Sequence, residues 1–289
     1  MNSLINTKDA LAVRREVQNA YRGLYPAGAA DFVSAAFDRV IDCFLGKYRD
    51  YQPIDALYHD LEHTLQGTLC LVRLLCGRTA AGVEPRLPQR LFELGLMSIL
   101  LHDTGYLKRN RDVGGTGAKY TYVHVGRSAE FAKGLLSEMG FSPAEISSVQ
   151  NMIHCTGVKL QIASIPFRSD LEREIGQCVG TADLLGQMAA EDYPAKLSIL
   201  FLEFAEAARR DPENAANHVL FTNAEELIRN TPVFWETFVK PKLDKELGGA
   251  HRHLMGSGGR NDYIDRIEKN IDRIRRQIAV MPERRLQAA

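Results

Sequence analysis

Apolar residues recur at every third and fourth position through most of the chain, as in Phe32, Ala36, Val40 and Phe44. Almost no stretch alternates with period two. That period fits a helix that turns one stripe toward a neighbour, so the sequence predicts an all-α bundle. Helices are expected over 11–25, 30–48, 58–76, 88–101, 124–139, 143–155, 170–185, 195–209, 223–230 and 232–247. Ser142-Pro143-Ala144-Glu145 is a capping box with proline at the first helical position, a strong start signal. Beyond a glycine-rich stretch, Ile264, Ile267, Ile271, Ile274, Ile278 and Met281 form a seam that ends at Pro282. Such a seam suits either a partner helix in a homodimer or docking on the chain's own body.

A chain of 289 residues can bury a sizeable core. The expected organisation is an N-terminal helical segment (1–50), one dominant domain (51–247), a flexible linker (248–260) and a C-terminal amphipathic helix (261–289). The 36 basic and 36 acidic residues cancel, which argues against a general nucleic-acid surface or an acidic membrane as partner. Leu94 to Leu101, the longest apolar run, is too short to span a bilayer, and residues 1–17 lack the apolar core of a secretory signal. The five cysteines, Cys43, Cys70, Cys76, Cys155 and Cys178, have no CxxC spacing. They read as reduced thiols, and a cytoplasmic location is expected.

Chemistry concentrates where an apolar helix ends, at Leu101-His102-Asp103-Thr104-Gly105-Tyr106. Upstream stand His59 and His63, spaced to share a helix face. Downstream, His124 opens a helix, His154 lies near the end of another, and Asp183 sits mid-helix among apolar residues. An aspartate there is costly unless something pairs with it. Imidazole and carboxylate are ligands for divalent ions, and zinc, iron, manganese, nickel and magnesium all remain open. One ion could take His63, His102, Asp103 and Asp183; a second could take Asp103, His124 and His154. Water bridging two ions would be acidified and able to attack a phosphoryl centre. Between the His-Asp pair and His124 lies a loop with Lys108, Arg109, Arg111 and Lys119, candidates for holding substrate phosphate. The glycines at 114, 115 and 117 do not make it a P-loop, since no strand precedes them and the Gly-Lys-Ser/Thr ending is missing.

These residues resemble the HD-domain metal-dependent phosphohydrolase superfamily. Tyr58-His59-Asp60-Leu61-Glu62-His63 looks like the opening motif of its cyclic-nucleotide phosphodiesterase branch, which implies a general-acid role for His59 and a ligand role for His63. His124 and His154 stand where the HD-GYP branch completes a second metal site. That branch usually has a further histidine where this chain has Cys155, and the Gly-Tyr-Pro signature is absent, so its substrate is not carried over. The resemblance implies an HD-type helical bundle around two divalent ions. Its reaction would be hydrolysis of a small-molecule phosphate ester or nucleotide, a diester before a monoester, with Asp103 bridging the ions and His59 donating a proton. Two other readings stand beside it. The same ligand order resembles the mixed-valence di-iron oxygenases of this scaffold, and the site could serve a nucleotide-sensing module whose C-terminal helix reports occupancy.

Overall fold

The computed structural model describes residues 5–158, 161–218, 220–256 and 258–281. Among these the chain is all-α: no strand forms, and extended pairing is limited to isolated bridges between Tyr51 and Arg109 and between Met255 and Asn261. Helix α1 (Ala10–Leu24) starts at Asp9, whose carboxylate accepts from the Leu11 and Ala12 amides, and it pairs with α2 (Phe32–Phe44). The central helix α3 (Leu61–Ala80) is buried on nearly every face, as is α4 (Gln89–Leu101), which fits their near-continuous apolar character. Helices α5 (His124–Glu138) and α6 (Pro143–His154) form a hairpin turned by Gly140 at φ 80°, and the expected capping box at Ser142 and Glu145 is present. Then follow α7 (Asp170–Met188), α8 (Tyr193–Arg210), a short α9 (Pro212–Ala215) and α10 (Ala224–Phe234).

The most extensive helix–helix contact joins α3 to α7. A Cβ added at Gly186 would lie 2.8 Å from the Gly67 nitrogen, so the missing side chain lets the two backbones meet. This contact lies one turn from Asp183 on α7 and one turn from His63 on α3.

The helix expected over 232–247 is interrupted. Trp235–Val239 is a π-turn leading into α11 (Lys240–Lys245), and the Lys240 amide bonds back five residues to the Trp235 carbonyl. Pro241 has no amide proton to continue the four-residue ladder, which accounts for the shift. The expected flexible linker also takes a different form. Within 248–260 the described residues include a 3-10 turn, Ala250–Leu254, packed on α3 so closely that a Cβ at Gly77 would fall 1.8 Å from the His253 carbonyl.

Helix α12 (Asp262–Ala279) settles the fate of the isoleucine seam. Ile267, Ile271 and Ile274 are fully buried against α7, α8 and α10. Asn270 donates to the Met188 and Ala190 carbonyls (2.9 and 2.7 Å), closing the C-terminal end of α7. Of the two placements open to the seam, the chain takes docking on its own body. The part of that helix segment beyond residue 281 lies outside the described residues. No helix among the described residues is long and apolar enough to cross a membrane.

Candidate metal centre

Three elements bring four donors to one point. Helix α4 runs out at Leu101, leaving His102 as its cap and Asp103 at the head of the Thr104–Tyr106 turn. Helix α3 supplies His63 from its first turn, located by Asp60, whose side chain accepts from the His63 amide at 2.9 Å. Helix α7 supplies Asp183. The His63 Nε2 lies 3.2 Å from Asp103 Oδ2 and 3.3 Å from Asp183 Oδ1, and the His102 Nε2 lies 3.2 and 3.4 Å from the same two oxygens.

These short distances are not ordinary hydrogen bonds. His102 Nε2 and Asp103 Oδ2 are fully buried yet have no hydrogen-bond partner, although they face each other. The His102 Nδ1 proton is committed to the Ile99 carbonyl at 2.7 Å, so when the ring is neutral the lone pair of Nε2 faces inward. Donors at about 2.0–2.2 Å from a shared ion would stand about 3.0–3.4 Å apart in tetrahedral or octahedral geometry. The four His–Asp separations fit that spacing, His63, His102 and Asp103 place ligand atoms within 4.8 Å of one another, and the Nδ1 bond to a carbonyl is the usual way a ligating histidine is oriented.

In the metal-free protein the four groups hold one another charged. Burial opposes charge on His63, but Asp103 and Asp183 outweigh it and raise the imidazole to about 9. His102 is pushed up in the same way. Burial likewise opposes charge on Asp103 and Asp183, and the two imidazoles overcome it, holding both below the usual carboxylate range.

Beside this cluster sits a second group. His59 lies outside α3, before its cap at Asp60, so it does not share a helix face with His63 as the spacing suggested. It is fixed instead by Glu203 on α8, whose Oε2 is 2.5 Å from His59 Nδ1 and whose Oε1 accepts from the Tyr58 amide at 2.7 Å. Burial disfavours the Glu203 charge, yet His59 and these bonds lower its pKa. The Tyr106 ring stacks on both His59 (4.4 Å between centroids) and His124 (4.7 Å). His124 donates through Nδ1 to the Thr121 carbonyl (2.6 Å), and its Nε2 lies 3.8 Å from Asp103 Oδ1. Burial lowers its pKa despite Asp103.

The second ligand set is not assembled as expected. His124 is at hand, but His154 makes no ion pair or ring contact with the cluster among the described residues, and its pKa is lowered by burial alone. The basic loop is corrected too. Lys108 is buried and bound to Asp55 (2.7 Å) and the Gly115 carbonyl (2.8 Å). Lys119 is paired with Asp112, and Arg109 with Asp50 while lying over the Tyr51 ring. Of the four expected phosphate-binding residues, Arg111 alone is exposed without an ion pair among the described residues.

Sequence reasoning missed Glu203, Tyr106 and Gln187. Gln187 receives the Tyr58 hydroxyl at 2.8 Å and donates to Asp183 Oδ1 at 3.3 Å, steadying that carboxylate. A signal for Glu203 existed: like Asp183, it is an acid embedded in an apolar helical run, Phe201-Leu202-Glu203-Phe204. The cluster opens on the side of His124, His59 and Asp183, whose side chains are 21, 13 and 12% exposed, whereas His63, His102 and Asp103 stay at 4% or below.

Fold and site together define an all-α protein with a buried bis-imidazole, bis-carboxylate cluster at the end of a central helix. The chain belongs to the Npun_R2479-like family, whose model matches residues 12–276. Among curated proteins none matches the sequence.

Proposed function

We propose that His63, His102, Asp103 and Asp183 hold a divalent metal ion and that the protein hydrolyses a phosphate ester, a diester before a monoester. The observation that carries this reading is the pair of buried, partnerless donor atoms, His102 Nε2 and Asp103 Oδ2, facing two further donors at ligand spacing. Two neutral imidazoles and two carboxylates suit zinc, iron, manganese or nickel. A bound ion of this kind supplies Lewis-acid stabilisation of a phosphoryl oxygen and acidifies water at neutral pH.

The chain's own residues supply the rest. Hydrolysis forms a P–O bond from water and breaks the P–O bond to the leaving alcohol, whose oxygen needs a proton. His59 stands at the open side of the cluster and bonds through Nδ1 to Glu203, which orients the ring and leaves Nε2 to pass that proton. Tyr106 packs against His59 and His124 and holds both rings in place. The di-iron oxygenase reading needs a full second ligand set, and among the described residues His154 makes no ion pair or ring contact with the cluster.

The test is turnover of bis(4-nitrophenyl) phosphate and 4-nitrophenyl phosphate by protein supplied in turn with manganese, iron(II), nickel and zinc. Metal-dependent cleavage, faster on the diester and lost in Asp103→Ala, is the expected result. Stoichiometric ion retention with no turnover under any metal would overturn the hydrolase.

A further inference from the structure

We infer that the site selects esters carrying a single negative charge and turns away polyphosphates, an inference that rests on the phosphohydrolase reading above. It follows from where the positive charge around the site is already spent. Lys108, buried, is held by Asp55 and the Gly115 carbonyl, and Lys119 by Asp112 and the Gly114 carbonyl. Arg127, which packs on Tyr120, donates to the Gly105 and Leu107 carbonyls at 2.7 and 2.9 Å. Lys196 on α8 is bound to Glu62 at 2.9 Å. These cations brace the loop and α8 against the centre.

The centre adds no surplus. One divalent ion would cancel Asp103 and Asp183, and His59 is already bonded to Glu203. A polyphosphate would bring several charges to a site whose His63, His102 and Asp103 are buried and whose neighbouring cations are committed, and desolvating unpaired anionic oxygens is strongly unfavourable. A diester brings one charge, the smallest load on that counter-charge.

The experiment compares binding of diphenyl phosphate and P1,P3-diphenyl triphosphate to manganese-loaded protein by calorimetry, so that both aryl groups are shared and the charge differs. Diphenyl phosphate should bind at least tenfold more tightly. The double variant Asp55→Asn with Asp112→Asn, which releases Lys108 and Lys119 from their carboxylates, should narrow that ratio at least threefold. Equal or tighter binding of the triphosphate by the unaltered protein overturns the inference, whatever the variant does. Preferential diphenyl phosphate binding without cleavage of any ester would leave the charge selection standing and sink the hydrolase. If no ion binds at all, both readings fall.

Discussion

His102 and Asp103 are neighbours in sequence, yet each is needed for a different reason. His102 is locked to the Ile99 carbonyl of its own helix, so its free nitrogen has one direction open, while Asp103 begins the next turn and reaches His63 and His102 with the same oxygen. Removing Asp103 leaves two buried imidazoles without that carboxylate, so Asp103→Ala should lose metal binding and not merely rate. His59→Asn should lower kcat by about 10²–10⁴-fold, the usual worth of a positioned proton donor, while metal content stays unchanged. Metal-free protein should show a distinct pH dependence. Raised in the folded state from 6.5 to about 9, His63 contributes stability that is fully present below pH 6.5 and lost as the pH rises through about 9. Asp103, lowered from 3.8, contributes stability that is present above that value and lost as the pH falls. Thermal melts after chelation should therefore peak between these limits and drop by pH 9.5; a melting temperature that climbs from pH 6.5 to 9.5 would contradict the ion cluster. At this scale the members of the His-Asp cluster were legible because histidine and aspartate are conspicuous in apolar helices. The cations were misread because sequence does not show that Asp55 and Asp112 fold back onto Lys108 and Lys119.

Helix placement does the remaining work of positioning. Asp60 caps α3 and so sets where His63 points; Asp60→Ala should cost about 1 kcal/mol of stability and weaken metal binding as the first turn frays. The α3–α7 crossing is more demanding, because a methyl group at Gly186 has backbone in its way. Gly186→Ala should push α7 off α3, separate Asp183 from His63 and reduce metal affinity more than a surface change of the same size, as measured by titration of the folded variant. The start of α3 was misplaced because Tyr58-His59 continues the apolar pattern backward, whereas Asp60 is a better cap than a first-turn residue. The break at Trp235–Val239 could have been anticipated from Pro232 and Pro241 within one apolar run, but the fused period concealed it.

Across the whole molecule, the C-terminal helix belongs to the same body as the centre. Asn270 closes the end of α7, and Ile271 is fully buried, so Ile271→Ala should cost about 2–5 kcal/mol in denaturant unfolding. Periodicity revealed the seam but not its partner, since a stripe of isoleucines reads the same whether it meets its own chain or another copy. All-α architecture was legible from the repeat of three and four alone; the meeting of α3, α4 and α7 at one point was not, because it depends on close approaches at Gly67 and Gly186 that carry no apolar signal. The most direct measurement is metal content per chain after loading and gel filtration, for the unaltered protein and for His63→Ala and Asp103→Ala. One tightly held divalent ion, lost in both variants while their helical content is kept, is the expected result. An unaltered protein that retains no ion, or variants that retain it undiminished, would contradict the centre described here.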